Sequence, residues 1–529
     1  MPQVRGTLVL SYDMEDRGGL GLYEHLYRCI KNDILAGVLD PHDRLPSKRR
    51  LAEHLGVSVI TVEGAYRQLV AEGFAYALPK RGFYVSELPQ SAKSAGQSPA
   101  GSSPSKGLHV VAGAHTQPEA PSPAPFADFT RPSLRSGSSA ARLWGKALRS
   151  ALVQEDESVL FSAQPAQGSP RLRRAIASYL RSSRGMEVDP ECVVVGAGSQ
   201  ILYGMVPLLA RSGAAAGPFP CIALEDPGYP RLYDTYRMLG ASTFPISLDD
   251  EGMDVDALAR CGASVAHVMP SHQFPTGRVM SVSRRYQLLG WASRQPGRLI
   301  VEDDYDWEFR LAGRPIPSLQ SIDSQGCVVY LSTFSKSLSA ALRIAFAVVP
   351  PQLVERLQAH AIAGTPAPRE LFGLFAGTVS SVDQIALARL LESGDYERHL
   401  NRYRKESRDV RDALIAALEA QFPKRDIRIE QADSGLHFVL ALRAPSAAAA
   451  PEAEAAIARQ ALALGVRLAP LSSYAAAQGG RAVPQPAPPP DPWARFVMQY
   501  DGLEPGLSPN VAQAIHKAWQ AELLASEQA

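Results

Sequence analysis

The stretch Val328-Val329-Tyr330-Leu331-Ser332-Thr333-Phe334-Ser335-Lys336-Ser337-Leu338 decides how the larger part of this chain is read. Four apolar residues predict a short buried strand, and the strand runs into hydroxyls that surround one lysine. A lysine held that way is a candidate for Schiff-base chemistry, with a solvated surface lysine as the ordinary alternative. Arg343 follows closely, and an arginine near a Ser/Thr cluster suits a phosphate dianion.

Working outward, similar apolar runs recur at Cys192–Val195, Cys221–Leu224, Val265–Val268 and Leu299–Val301. Helical stretches such as Gln200–Ala210 and Tyr229–Leu239 follow several of them. That alternation predicts an α/β domain with a largely parallel sheet. Beyond Pro350 long helical stretches dominate, and Ile427–Ile429, Leu436–Leu440 and Phe496–Met498 predict a smaller α+β subdomain.

Three more segments of this region carry chemistry. Gly196-Ala197-Gly198-Ser199-Gln200 joins a strand to a helix, where backbone N–H groups can cup an anion or the glycines can merely turn the chain. Glu302-Asp303-Asp304-Tyr305-Asp306 packs carboxylates at a strand end, which is costly unless a cation faces them. A divalent metal, a buried pyridinium and a solvated loop all remain open there. Glu225-Asp226-Pro227-Gly228-Tyr229-Pro230-Arg231 offers an aromatic ring that can lie on a flat ligand or pack in the core.

Upstream of the large region, Pro89–Pro125 is mostly Pro, Ser, Ala and Gly. It cannot bury enough apolar surface to offset its ordering entropy and predicts a flexible linker over 89–125. Gln478–Pro492, with three consecutive prolines, predicts a surface loop. Residues 1–88 then form a small unit. Leu22, Leu26, Ile30 and Ile34 have helical spacing, Gly37 stops that helix, and Ser47 caps a second one. After Gly56-Val57-Ser58 a third helix runs from Ile60, and two short strands flank Pro79-Lys80-Arg81. A helix–turn–helix pair places the start of its second helix for a DNA groove. Ser58 and Thr61 lie at that start, Arg44, Lys48 and Arg49 cluster before it, and Lys80 and Arg81 form the hairpin tip. The alternative is a small helical domain with solvated charges.

The chain has 529 residues, 46% hydrophobic and 20% charged, with a formal net charge of +1. That balance excludes a polycation or an acidic tail but not a local basic surface. Its five cysteines are scattered and show no zinc-ligand spacing, so neither a disulfide framework nor a zinc site is expected. No secretory leader or long apolar run is read, which predicts a cytoplasmic protein with no membrane contact.

Leu45-Pro46-Ser47-Lys48-Arg49-Arg50-Leu51-Ala52, Leu55-Gly56-Val57-Ser58, Thr61-Val62, Ala65-Tyr66-Arg67-Gln68-Leu69, Glu72-Gly73 and Arg81-Gly82-Phe83-Tyr84-Val85 resemble the GntR-type winged helix-turn-helix. The chemical segments, with Pro270-Ser271-His272-Gln273-Phe274-Pro275-Thr276-Gly277 and Gly168-Ser169-Pro170-Arg171-Leu172-Arg173, resemble an aminotransferase of fold type I over about Phe126 to Leu523. Together, a GntR unit at 1–88 and an aminotransferase-like effector domain at 126–529 resemble the MocR subfamily of bacterial transcriptional regulators.

The resemblance implies roles. Lys336 holds pyridoxal 5'-phosphate as a Schiff base, and Asp303 pairs with its pyridine nitrogen. Tyr305 donates to the ring's phenolic oxygen, and Tyr229 stacks on the ring. Ser199, Gln200, Thr333, Ser335 and Arg343 receive the phosphate. Arg495 matches the arginine that grips a substrate carboxylate, and Arg231 and His272 join it as candidate effector contacts. The implied partners are a double-stranded DNA operator, a small amine or amino-acid effector and a second copy in a head-to-tail homodimer. Two positions depart from the pattern. Val59 stands where the family usually has a polar or basic residue. Phe274 stands where aminotransferases commonly place an Asn for the phenolic oxygen. The rival reading is an active aminotransferase with an accessory DNA-binding domain.

Overall fold

Leu26, Ile30 and Ile34 recur at helical spacing, and all three are buried in the helix Leu22–Leu35. The computed structural model describes residues 10–15, 20–79, 81–87, 124–131, 139–210, 219–311, 316–358, 373, 377–433, 435–445, 450–476 and 491–527. Contacts divide the chain into two units, Met1–Gln117 and Pro118–Ala529. The linker expected over 89–125 lies outside the described residues except for its last two positions. The loop expected over 478–492 does so too, apart from Asp491 and Pro492.

In the first unit, the Ser47 hydroxyl accepts from the Arg50 N–H and starts the helix Lys48–Leu55. Gly56 ends it in the left-handed region at φ 64°, which a side chain would oppose. The Ser58 hydroxyl accepts from the Thr61 N–H and starts the helix Val59–Ala71. The strands Ala75–Leu78 and Gly82–Val85 form an antiparallel wing, extended by a bridge from Arg44 to Tyr84. Val62, Ala65, Tyr66 and Leu69 of the third helix meet Leu26, Ile30, Leu51 and Val85 in one core. Expected and observed elements agree here to within a residue or two.

The second unit is built on an eight-stranded sheet. The strands Cys221–Asp226, Ser242–Asp249, Val265–Val268, Leu299–Asp303 and Val328–Thr333 run parallel to one another. The sheet is mixed: Ala345–Val348 runs antiparallel between Val328–Thr333 and Val193–Gly196. As a result Gly196, Asp226, Asp303 and Thr333 all terminate strands at one edge, the carboxyl edge where open α/β sheets bind ligands. The buried strands need no polar alternation because helices cover both faces.

The expected smaller subdomain is a four-stranded antiparallel sheet of Ile427–Glu430, His437–Arg443, Trp493–Gln499 and Ala469–Pro470. Period-two alternation sends Phe438, Leu440, Phe496 and Met498 into a core with Leu414, Ile457, Ile515 and Trp519 of the helices beneath. His437 and Arg495 lie on the opposite face. Among the described residues no helix is long and apolar enough to cross a membrane.

Candidate cofactor and DNA sites

The glycine turn at the end of Val193–Gly196 makes a cradle. Gly198 has φ 92° and ψ 163°, a conformation essentially closed to other residues, and the helix Ser199–Leu209 starts immediately after it. Arg343 lies across this turn. A Cβ added at Gly198 would stand 2.2 Å from Arg343 Nη2, so the guanidinium occupies the space a side chain would need. Arg343 donates to Gln200 Oε1 at 2.5 Å. Thr333 Oγ1 donates to Ser335 Oγ at 2.9 Å and also contacts the Ile344 carbonyl, which ties the lysine-bearing turn to the Arg343 side. Ser199, Gln200, Thr333, Ser335 and Arg343 thus line neighbouring strand ends, with backbone N–H groups and one guanidinium for an anion.

Asp303 ends the next strand and is buried. The Tyr203 hydroxyl donates to its Oδ2 at 2.6 Å, and His267 Nε2 lies 3.5 Å from the same oxygen. His267 is held in turn by Tyr236 at 2.8 Å. Burial first and the Asp303 charge second push the Tyr203 phenol well above its usual range, so it stays a donor. Sequence reading missed both partners: a tyrosine inside an apolar helix and a histidine inside an apolar strand read as core residues.

Tyr229 is half-buried, packed edge-on against Phe274 with ring centroids 5.8 Å apart. Burial raises its phenol, while Arg231 and Arg343 oppose that and Asp303 adds to it, which puts all three within electrostatic reach of one ring. Phe274 itself meets Tyr229, His437 and Tyr474, so the position expected to carry an amide is an apolar wall. Tyr305 lies 3.3 Å from His272 Nδ1, which also bonds Asp306 at 2.8 Å. The His272 and His437 rings are 4.2 Å apart. Burial holds His437 well below the usual histidine range, and the neighbouring His272 and Lys336 push it the same way. His437 was not anticipated either; it stands in an apolar strand far along the chain. His272, Asp306 and His437 bring three possible donor atoms within 4.8 Å of one another, but His272 and Asp306 spend theirs on each other.

Lys336 is half-buried. The neighbouring Ser337 hydroxyl bonds Tyr396 at 2.6 Å, and Tyr396 and Tyr179 both donate to Glu308. Burial pushes Glu308 up to about 7.

Arg495 is already committed: its guanidinium pairs with Glu430 at 3.1 Å and Asp491 at 2.5 Å. It lines a cavity of about 250 Å³ with Asp226, Pro227, Glu454, Leu471, Ser472 and Ala475. Arg231 is exposed at the start of the helix Pro230–Met238.

In the first unit Arg44, Arg49 and Arg81 are exposed, whereas Lys48 pairs with Glu63 at 3.3 Å. The Ser58 and Thr61 hydroxyls bond each other at 2.8 Å. Lys80 lies outside the described residues.

Residues 22–85 match the family of bacterial regulatory proteins called gntR, and residues 136–489 match the class I and II aminotransferases. The chain is 33% identical to a probable rhizopine catabolism regulatory protein, MocR of Rhizobium meliloti, over 82% of this chain and 83% of that one.

The chain belongs to the MocR-type regulators.

Another member of similar span is the HTH-type transcriptional regulator YhdI of Bacillus subtilis, 36% identical over 80% of this chain and 84% of its own. The pyridoxine biosynthesis regulator PdxR of Corynebacterium glutamicum is 31% identical over 78% and 81%. Among solved structures, the multiple substrate aminotransferase of Thermococcus profundus superposes with a TM-score of 0.61. It is 20% identical and covers 77% of this chain and 93% of its own. That likeness shows the fold. The MocR-type organisation accounts for an aminotransferase-like sheet in the same polypeptide as a winged helix.

Proposed function

We propose that this MocR-type regulator holds pyridoxal 5'-phosphate on Lys336 and senses an amine or amino acid, which changes its affinity for operator DNA. The observation that carries the reading is the convergence of the Gly198 cradle, buried Asp303 and Lys336 on one edge of one sheet. The residues fit the group. Gly198 leaves room for Arg343 over an anion. Asp303 is a buried carboxylate whose described partners are a phenol and an imidazole, so a cationic ring N–H suits it. A solved aminotransferase of the same fold, LysN of Thermus thermophilus, holds N-(5'-phosphopyridoxyl)-L-leucine.

When bound, the cofactor supplies an aldehyde for amines and a ring that withdraws electrons. Asp303 keeps a proton on the ring nitrogen, with Tyr203 and His267 fixing its carboxylate. Tyr229 would stack on the ring, and Tyr305, beside His272, would donate to the phenolic oxygen. Phe274 excludes water from that side without donating a hydrogen bond. Arg231 is the cation offered to an effector's carboxylate or sulfonate; Arg495 must first leave Glu430 and Asp491 to take that role. Arg49 and Arg81 meet DNA phosphates, and a homodimer in the cytoplasm presents two winged helices to two half-sites.

The test is a gel shift on operator DNA with and without pyridoxal phosphate, repeated across a panel of amines and amino acids and paired with an absorbance scan. An effector that changes both the spectrum and DNA affinity supports the reading. Multiple turnover of an amino donor and keto acid, with DNA affinity indifferent to every ligand, would replace it with the enzyme reading.

A further inference from the structure

Ile60 is 82% exposed and Val59 is 41% exposed, both on the first turn of the helix Val59–Ala71. Ile60 faces away from the core stripe of Val62, Ala65, Tyr66 and Leu69, and Val59, at the edge of that stripe, is left partly uncovered at the helix start. The polar side chains around them are spoken for. Ser58 and Thr61 bond each other and cap the helix. Glu63 holds Lys48 at 3.3 Å and Arg67 at 3.0 Å. What this turn offers outward is a pair of branched apolar side chains, and the exposed cations Arg44, Arg49 and Arg50 precede it in the chain.

The N-terminal residues of a recognition helix are the ones that reach base edges in the major groove. In that groove the apolar feature among the four bases is the C5-methyl of thymine. A branched apolar side chain there has no hydrogen bond to give to guanine or adenine and leaves their polar edges unsatisfied. The preceding arginines fix the helix on the phosphates without reading sequence. We infer that Val59 and Ile60 are specificity-determining residues that read thymine methyl groups in each operator half-site. The inference rests on the DNA-binding reading above and assigns it a base.

The full chain, loaded with pyridoxal phosphate, is used to select duplexes from a library with a randomised core. The selected duplex is then resynthesised with deoxyuridine replacing each thymidine in turn, which removes one methyl and leaves pairing intact. At one or two positions per half-site the wild-type protein should bind about fourfold more weakly, the fold-change for burying roughly one methyl group. Ile60→Ala and Val59→Ala, both at exposed positions, should be insensitive to deoxyuridine at those same positions. Uniform indifference of the wild type to deoxyuridine, with sequence-selective and salt-dependent binding intact, overturns the inference and leaves the DNA-binding reading standing. So does a deoxyuridine penalty that persists unchanged in both variants. Failure to select any sequence removes both.

Discussion

Gly198→Ala separates backbone strain from cofactor recognition. Gly198 sits at φ 92° and ψ 163°, so an alanine there carries strain on the order of 1–3 kcal/mol. The added Cβ would also fall 2.2 Å from Arg343 Nη2. That atom is the far end of a flexible side chain, so the guanidinium swings away at little further cost to folding. It then leaves both Gln200 and the anion cradle. Losing one or more hydrogen bonds to a charged group costs about 1.5–3 kcal/mol, or about tenfold to 150-fold in affinity. Gly185→Ala is the matched control. Gly185 also has positive φ, 69°, but a Cβ there meets nothing within 4 Å. Both variants should lose thermal stability without ligand, Gly198→Ala the more because its ψ of 163° lies outside the left-handed helical region that Gly185 occupies at ψ 26°, and only Gly198→Ala should bind pyridoxal phosphate more weakly in an absorbance titration. Wild-type affinity in Gly198→Ala, or equal weakening in Gly185→Ala, would falsify the assignment of Arg343 to the phosphate.

Borohydride reduction of the loaded protein should fix the cofactor on Lys336, and Lys336→Ala should fold yet take no adduct; a peptide map with the label on another lysine decides against it. Glu308 is raised by burial from an ordinary 4.5 to about 7. Its proton is held more tightly folded than unfolded. The stability it contributes is therefore present below about pH 4.5 and lost as pH rises through 7, on the order of 3 kcal/mol. Glu308→Gln keeps an acceptor for Tyr179 and Tyr396 and should flatten that decline in thermal melts between pH 5 and 8; an unchanged slope rejects the assignment. Arg49→Ala should weaken binding to all duplexes and reduce the salt slope by about 0.9. Gel shifts on several sequences across a salt series check both effects.

The strand ends were legible because punctuation and chemistry coincide there: glycine after Val193–Val195, a carboxylate after Leu299–Val301, and hydroxyls and a lysine after Val328–Leu331. What was not legible comes from elements whose pattern is purely apolar. Tyr203 and His267 sit in a buried helix and a buried strand, where nothing local distinguishes a polar partner from packing. The antiparallel Ala345–Val348 strand was missed for the same reason, since an apolar run does not announce its direction. Arg495 shows the reverse failure. Its motif points to a substrate carboxylate, yet Glu430, distant in sequence, reaches it across the sheet.

The helix Ser199–Leu209 works as a caliper. Its first residue belongs to the anion cradle, and Tyr203, about one turn or 6 Å along the axis, touches the buried Asp303 carboxylate proposed for the ring nitrogen. One jaw is shaped for an anion, the other holds the buried Asp303 carboxylate, and the spacing between them is set by a rigid rod. With the proposed cofactor, vitamers that have the ring but no phosphate would close only one jaw, and analogues with a longer arm would miss the other. A regulator built this way would measure the phosphorylated vitamin by length as well as by charge and ignore the unphosphorylated pool.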